Sequence, residues 1–210
     1  MPYGDVLDSM SSLFMKGIHC DLEVSFLDFF ESCSNNLTDD DMALLSVMWD
    51  HSWKPPLEGV FKVNSDVVLD RDKLVVGVGL VVRNCQGLIA TSAQRICASY
   101  TLLVAEAVAV LHGINLAIDI GLTPFVIEKD VLVVVNSNQK ASLADIGLII
   151  GEVLIKLQSI TGVSAMYVSR KANNVAHNLS KLALIVDNNQ FWMEEYPLCV
   201  ERFILDKVPI

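Results

Sequence analysis

Val60-Phe-Lys-Val-Asn-Ser-Asp-Val-Val68, Leu74-Val-Val-Gly-Val-Gly-Leu-Val-Val-Arg83 and Leu88-Ile-Ala-Thr-Ser-Ala-Gln-Arg-Ile96 are three strand-length segments rich in β-branched and apolar residues. Asn84-Cys-Gln-Gly87 supplies turn chemistry between the second and third, so the trio reads as an antiparallel meander. Directly afterwards the period changes. From Leu102 to Ile120, residues Glu106, Ala109, Val110, Gly113 and Ala117 recur on one helical face, and Gly121 ends the run. The small residues on that face let a helix lie close to a sheet.

Further along, Phe125-Val-Ile-Glu128 reads as a short buried strand and Ala144 to Ile160 as a second long helix carrying Ile146, Ile149, Ile150, Val153 and Leu157. Val163 to Ser169 alternates again, and Asn173 is placed to cap a last helix through Val186. The order β-β-β-α-β-α-β-α predicts an α/β fold in which a mixed, five-stranded sheet is flanked by helices. Val131-Leu-Val-Val-Val135 stays open: propensity favours a strand there, and the topology wants a helix start.

In the other direction, Pro55-Pro56 forces an extended entry and makes Trp53 to Glu58 the best boundary in the chain. Residues 1–52 therefore read as an N-terminal helical extension and linker, and 53–210 as one domain. Within the extension, Thr38 has the character of an N-cap, with Asp39, Asp40 and Asp41 in the favourable first turn of a short helix.

The chain has 210 residues, 52% of them hydrophobic and 19% charged, enough to bury a full core and incompatible with a disordered protein. Its longest uninterrupted apolar run, Leu74 to Val82, is far shorter than the about 20 residues that a membrane helix needs, so no membrane partner is expected. The N-terminus lacks a basic n-region and an apolar h-region, so the protein is expected inside the cell, with nucleus and cytoplasm both open. Five scattered cysteines without a C-x-x-C pair read as reduced thiols. A net charge of −10 counts against tight nucleic-acid binding, unless bound divalent metal supplies the counter-charge.

Three carboxylates fall where this topology brings chain segments together: Asp66 late in the first strand, Glu106 early in the first helix, and Asp130 just past the fourth strand. Hard divalent cations take oxygen ligands from several segments, and two such ions about 4 Å apart suit phosphodiester hydrolysis. Spacing alone leaves a plain reading open as well: a turn residue, a solvated helix acid and an N-cap.

Trp53-Lys-Pro-Pro-Leu-Glu-Gly-Val-Phe-Lys-Val-Asn-Ser-Asp66 resembles the W-x-P-P-x-x-G-x-x-K-x-N-x-D opening of plant ribonuclease H-like domains of the retroelement-derived type. The resemblance continues through Gly77-Val-Gly-Leu-Val-Val-Arg-Asn84 with Gly87, Ala105-Glu-Ala-Val-Ala109, Ile127-Glu-Lys-Asp130, and Val168-Ser-Arg-Lys-Ala-Asn-Asn-Val-Ala-His177 with Leu179, Lys181 and Ala183. Five motifs in order carry far more weight than any one.

The resemblance implies that Asp66, Glu106 and Asp130 are catalytic, metal-binding carboxylates, that Mg²⁺ or Mn²⁺ is the cofactor with two ions bound, and that an RNA/DNA hybrid is the partner. His177 stands where active relatives often carry a fourth Asp. It is read either as an auxiliary catalytic residue, a proton shuttle or phosphate contact, or as part of a polar surface stripe with Asn174 and Lys181. Val67 replaces a usual Gly after the first Asp, and its side chain either crowds the site or continues the strand. Arg170 and Lys171 are candidates for gripping a nucleic-acid backbone.

The activity implied is metal-dependent endonucleolytic hydrolysis of the RNA strand of RNA/DNA hybrids. The alternative is a catalytically inactive nucleic-acid-binding or interaction module of retroelement origin, favoured by the acidic charge, Val67 and His177.

Overall fold

A computed structural model describes residues 52–130 and 143–205. The expected N-terminal extension, apart from Ser52, and the undecided Val131–Val135 segment lie outside the described residues.

The meander is present as β1 (Phe61–Asp70), β2 (Val75–Asn84) and β3 (Gly87–Cys97). All but the last residue of β2 is buried, as expected of a central strand covered on both faces. Asn84 makes the turn itself: its Oδ1 accepts from the backbone N–H of Gln86 and of Gly87 at 2.8 and 2.9 Å. Gly87 adopts φ 132, which a side chain would resist.

The remaining elements are α1 (Leu102–Asp119), β4 (Phe125–Lys129), α2 (Leu143–Gln158), β5 (Ser164–Tyr167), α3 (Asn174–Ala183) and β6 (Gln190–Met193). A 3₁₀ turn (Leu198–Val200) then leads into α4 (Glu201–Leu205). Thr101 caps α1, its hydroxyl accepting from Val104 N at 3.3 Å.

The sheet has six strands in the order β5-β4-β1-β2-β3-β6, with β4 parallel to β1 and β5 and every other pairing antiparallel. It is the expected mixed α/β sheet with one strand more than the five read from sequence. The extra strand, β6, is only four residues long and pairs with Ala90–Ala93. Four residues are too few for a periodicity to register, and the pairing is long-range.

One face of the sheet packs against α1, where Val63, Phe125 and Ile127 meet Val110, Ile114 and Ala117, and α2 packs outside α1. By length and composition α1 matches a membrane span, yet 61% of it is buried inside the domain, where it is the central core helix. The opposite face is covered by α3 and the C-terminal segment, through Val81, Val175, Ala176, Leu179, Val200 and Ile204.

The α3 contact depends on two glycines of β2. A β-carbon on Gly79 would overlap the Ala176 carbonyl oxygen and the Ser180 amide nitrogen, and one on Gly77 would overlap the Ser180 carbonyl oxygen. The Gly77-x-Gly79 pair therefore seats a helix backbone directly on the sheet. That seat positions the site, because Gly79 is the cross-strand partner of Asp66.

Candidate active site

Strand alternation divides the β1 side chains between the two helical layers. Val63 and Val67 pack against α1, with Val67 buried beside Val78, Ala105 and Ala109. Asp66 points to the α3 side, where it is 5% exposed and meets α3 directly. His177 Nδ1 lies 2.8 Å from Asp66 Oδ2, and Ser180 Oγ lies 2.9 Å from the same oxygen. Val67 thus continues the strand into the core and does not crowd Asp66. Likewise, His177 is drawn out of the surface stripe and into the site.

An ionised carboxylate oxygen only accepts, so the Asp66 contact assigns the His177 proton to Nδ1 and leaves Nε2 as the free ring nitrogen. One turn along the helix, Ser180 has a single proton and two acceptors in range, Asp66 Oδ2 and the His177 carbonyl at 2.8 Å.

Glu106 comes from the α1 layer and is almost fully buried. Its Oε2 is ion-paired to Lys129, which follows Ile127 on the same face of β4. Lys129 Nζ also donates to the Ser65 carbonyl at 3.3 Å. Burial pushes the Glu106 carboxyl up from its ordinary value, Lys129 opposes that rise, and the charges of Asp66 and Asp130 add to it.

Asp130 sits just beyond β4 and accepts from Asn173 Nδ2 at 2.6 Å. The same amide donates to the Ser65 carbonyl at 3.1 Å. Asn173 does precede α3, as expected of a cap, but its side chain makes no capping bond and serves Asp130 instead. Asp130 is also held above the usual carboxylate range, by burial first and by the Asp66 charge second. Lys129 and Asn173, which hold Glu106 and Asp130, both donate to the Ser65 carbonyl, so these two carboxylates are tied to the strand position next to Asp66. Arg170 and Lys171 lie exposed just before Asn173.

Beneath the carboxylates lies a second polar cluster. Glu128 accepts from Trp53 Nε1 at 3.1 Å, from Asn64 Nδ2 at 2.8 Å and from Lys62 Nζ at 2.6 Å. Arg83 donates to Asn64 Oδ1 at 2.7 Å and lies 3.8 Å from the centre of the Trp53 ring. Burial lowers the Arg83 pKa to about 9, against the attraction of Glu128. Asn64 and Glu128 are partners in the parallel β1/β4 register, each two residues before a site carboxylate. The cluster therefore fixes the alignment of the strands that present Asp66 and Asp130.

The donor set suits a divalent cation in kind: three hard carboxylates from three segments, Asp66 and Glu106 buried and Asp130 partly exposed. In the arrangement shown, Lys129 and Asn173 hold two of them, and among the described residues no three His, Cys, Asp or Glu side chains are gathered closely enough to enclose an ion. Their formal charges sum to −3, and Lys129 returns +1, leaving −2 for a cation to balance. Sequence reasoning missed Lys129 and Ser180. A lysine at the buried end of a core strand was the available signal for the first.

Residues 64–183 match the reverse transcriptase-like family. A search of curated proteins finds no match. Among solved structures, RNase H1 from the halophilic archaeon Halobacterium salinarum NRC-1 superposes with a TM-score of 0.53 at 20% identity, over 60% of this chain and 97% of that one. The N-terminal RNase H domain of Rv2228c from Mycobacterium tuberculosis, solved as a fusion with maltose-binding protein, gives 0.51 at 22% identity, over 60% and 93%. With the match spanning more than half of its length, the chain belongs to the reverse transcriptase-like family and carries the RNase H-like fold.

Proposed function

We propose that the protein is a metal-dependent endonuclease that hydrolyses the RNA strand of RNA/DNA hybrids, of the plant, retroelement-derived type that its motifs resemble. The observation that carries this reading is that Lys129 and Asn173, which hold Glu106 and Asp130, both donate to the Ser65 carbonyl next to Asp66, with His177 held 2.8 Å from Asp66. A bound Mg²⁺ or Mn²⁺ would supply Lewis acidity and an activated water.

The remaining work falls to the chain. Asp66, fixed by His177 and Ser180, presents its other oxygen as a ligand in one orientation. Asp130 is steadied by Asn173 in the same way. His177, with Nδ1 committed to Asp66, offers Nε2 to accept or return a proton during hydrolysis. The exposed Arg170 and Lys171, at the start of the same helical layer, bind flanking phosphates.

A second reading has its own support. Lys129 already neutralises Glu106, and the chain carries a net charge of −10, both of which suit a non-catalytic nucleic-acid-binding module. One assay separates the two: cleavage of a labelled RNA/DNA hybrid during Mg²⁺ and Mn²⁺ titration, with duplex DNA and Asp66→Asn as controls. Metal-dependent cutting of the RNA strand that disappears in the variant supports the nuclease. Equal, metal-insensitive background in both proteins leaves the binding module.

A further inference from the structure

Lys129 is 6% exposed, an unusual place for an ammonium group, and the sequence puts it where β4 continues a run of core positions after Phe125 and Ile127. Burying it is costly unless its charge is used, and two acceptors use it: Glu106 and the Ser65 carbonyl. Asn173 mirrors this on the other side, donating to the same Ser65 carbonyl and to Asp130. An unbroken path of donors and acceptors thus runs from Glu106 through Lys129, Ser65 and Asn173 to Asp130. The nitrogen donors along it do what cations do elsewhere, sharing carboxylate oxygens and cancelling repulsion.

We propose that Lys129 is a tethered counter-cation that takes the place of one of the two divalent ions, so that this site binds a single Mg²⁺ or Mn²⁺. The formal charge count agrees: three carboxylates and one ammonium leave −2, the demand of one dication. A second dication would have to displace an ammonium that is already desolvated and covalently held at the site, at high effective concentration. Removing the ammonium reopens that position. This inference rests on the proposal that Asp66, Glu106 and Asp130 bind metal at all, and the experiment separates the two.

Mn²⁺ is titrated into the full chain and counted by equilibrium binding, with electron paramagnetic resonance reporting isolated ions or a spin-coupled pair. The wild type is expected to take up one isolated Mn²⁺ per chain, and Lys129→Met two, with the spectrum of a coupled pair. Should Lys129→Met not fold, Lys129→Gln keeps a donor for Ser65 without the charge and carries the same expectation. Two ions in the wild type, or one in both wild type and folded variant, would overturn the role given to Lys129 and leave the metal site standing. Absence of binding in wild type and variants alike would overturn both.

Discussion

Replacing Gly79 with alanine tests whether the backbone seat between β2 and α3 builds the site. The new methyl would lie 2.8 Å from Leu179 Cβ and overlap backbone atoms of Ala176 and Ser180, none of which can swing aside. Carbon atoms settle at about 3.5–4.0 Å, so α3 must lift by roughly 1 Å. The Asp66 contacts with His177 and Ser180, now 2.8 and 2.9 Å, would then exceed about 3.5 Å and cease to be hydrogen bonds.

Overpacking costs about 1–3 kcal/mol, and each lost bond to a charged group about 1.5–3 kcal/mol. The expected destabilisation is therefore about 4–9 kcal/mol, a fall in Tm on the order of 10 °C or more. Where the variant folds, misplacement of Asp66 and His177 by about 1 Å is expected to slow hybrid cleavage about 10²-fold. Thermal unfolding followed by circular dichroism and the hybrid-cleavage assay measure the two effects. Gly147→Ala is the matched control: it lies in α2 with nothing within 4 Å of a new β-carbon and should be neutral or stabilising. A Gly79→Ala protein that melts and cuts like the wild type would refute the argument that close helix seating positions Asp66.

Three further outcomes follow from the same geometry. Glu128→Gln removes the only anion among Trp53, Asn64, Lys62 and Arg83 and is expected to cost about 3–5 kcal/mol, because two cations lose their counter-charge; chemical denaturation with an unchanged m-value checks this. Glu106 and Asp130 are held above their ordinary values of 4.5 and 3.8, so the fold favours their protonated forms. Their contribution to stability is present below those ordinary values and is lost as pH rises through the raised folded values. Mg²⁺ should accordingly raise Tm at pH 8 and hardly at all at pH 4; equal rises at both would place the ion elsewhere. Finally, His177→Asp sets a second carboxylate against Asp66 Oδ2, now 2.8 Å from His177 Nδ1, and is expected to lower the metal-free Tm while enlarging the rise on adding Mn²⁺. Unchanged Tm in both conditions would mean that residue 177 lies off the metal path.

The meander, α1 and the long second helix were legible because each is long enough for its period to show, with Asn84 marking the meander turn and Gly121 the end of α1. β6 was not, since its stability comes from pairing with β3 and not from any pattern of its own. At the site, Asp66, Glu106 and Asp130 could be named from their motifs, yet their environments could not. Lys129 looks like an unremarkable strand residue until the fold turns it toward Glu106. Trp53, Asn64, Arg83 and Glu128 were visible as separate motif positions, and only the β1/β4 pairing reveals that they form one cluster. Asn173 was expected to accept from backbone N–H groups as a cap, and instead donates through its amide nitrogen, for a related reason. Cap preferences describe local backbone donors, whereas the nearest strong acceptor here is Asp130, from a distant segment.

The seating of α3 on β2 also bears on how the chain is made. Asp66 and Ser180 touch across a sequence separation of 114 residues, and β6 reaches β3 from almost as far. During synthesis the meander leaves the ribosome long before the helix that covers its Gly77–Gly79 face. For that interval the glycine-floored face of β2 stays uncovered, the kind of transient exposure that chaperones shield. Closure waits for residues near the C-terminal end, so non-local contacts delay maturation of the site until most of the domain has been translated.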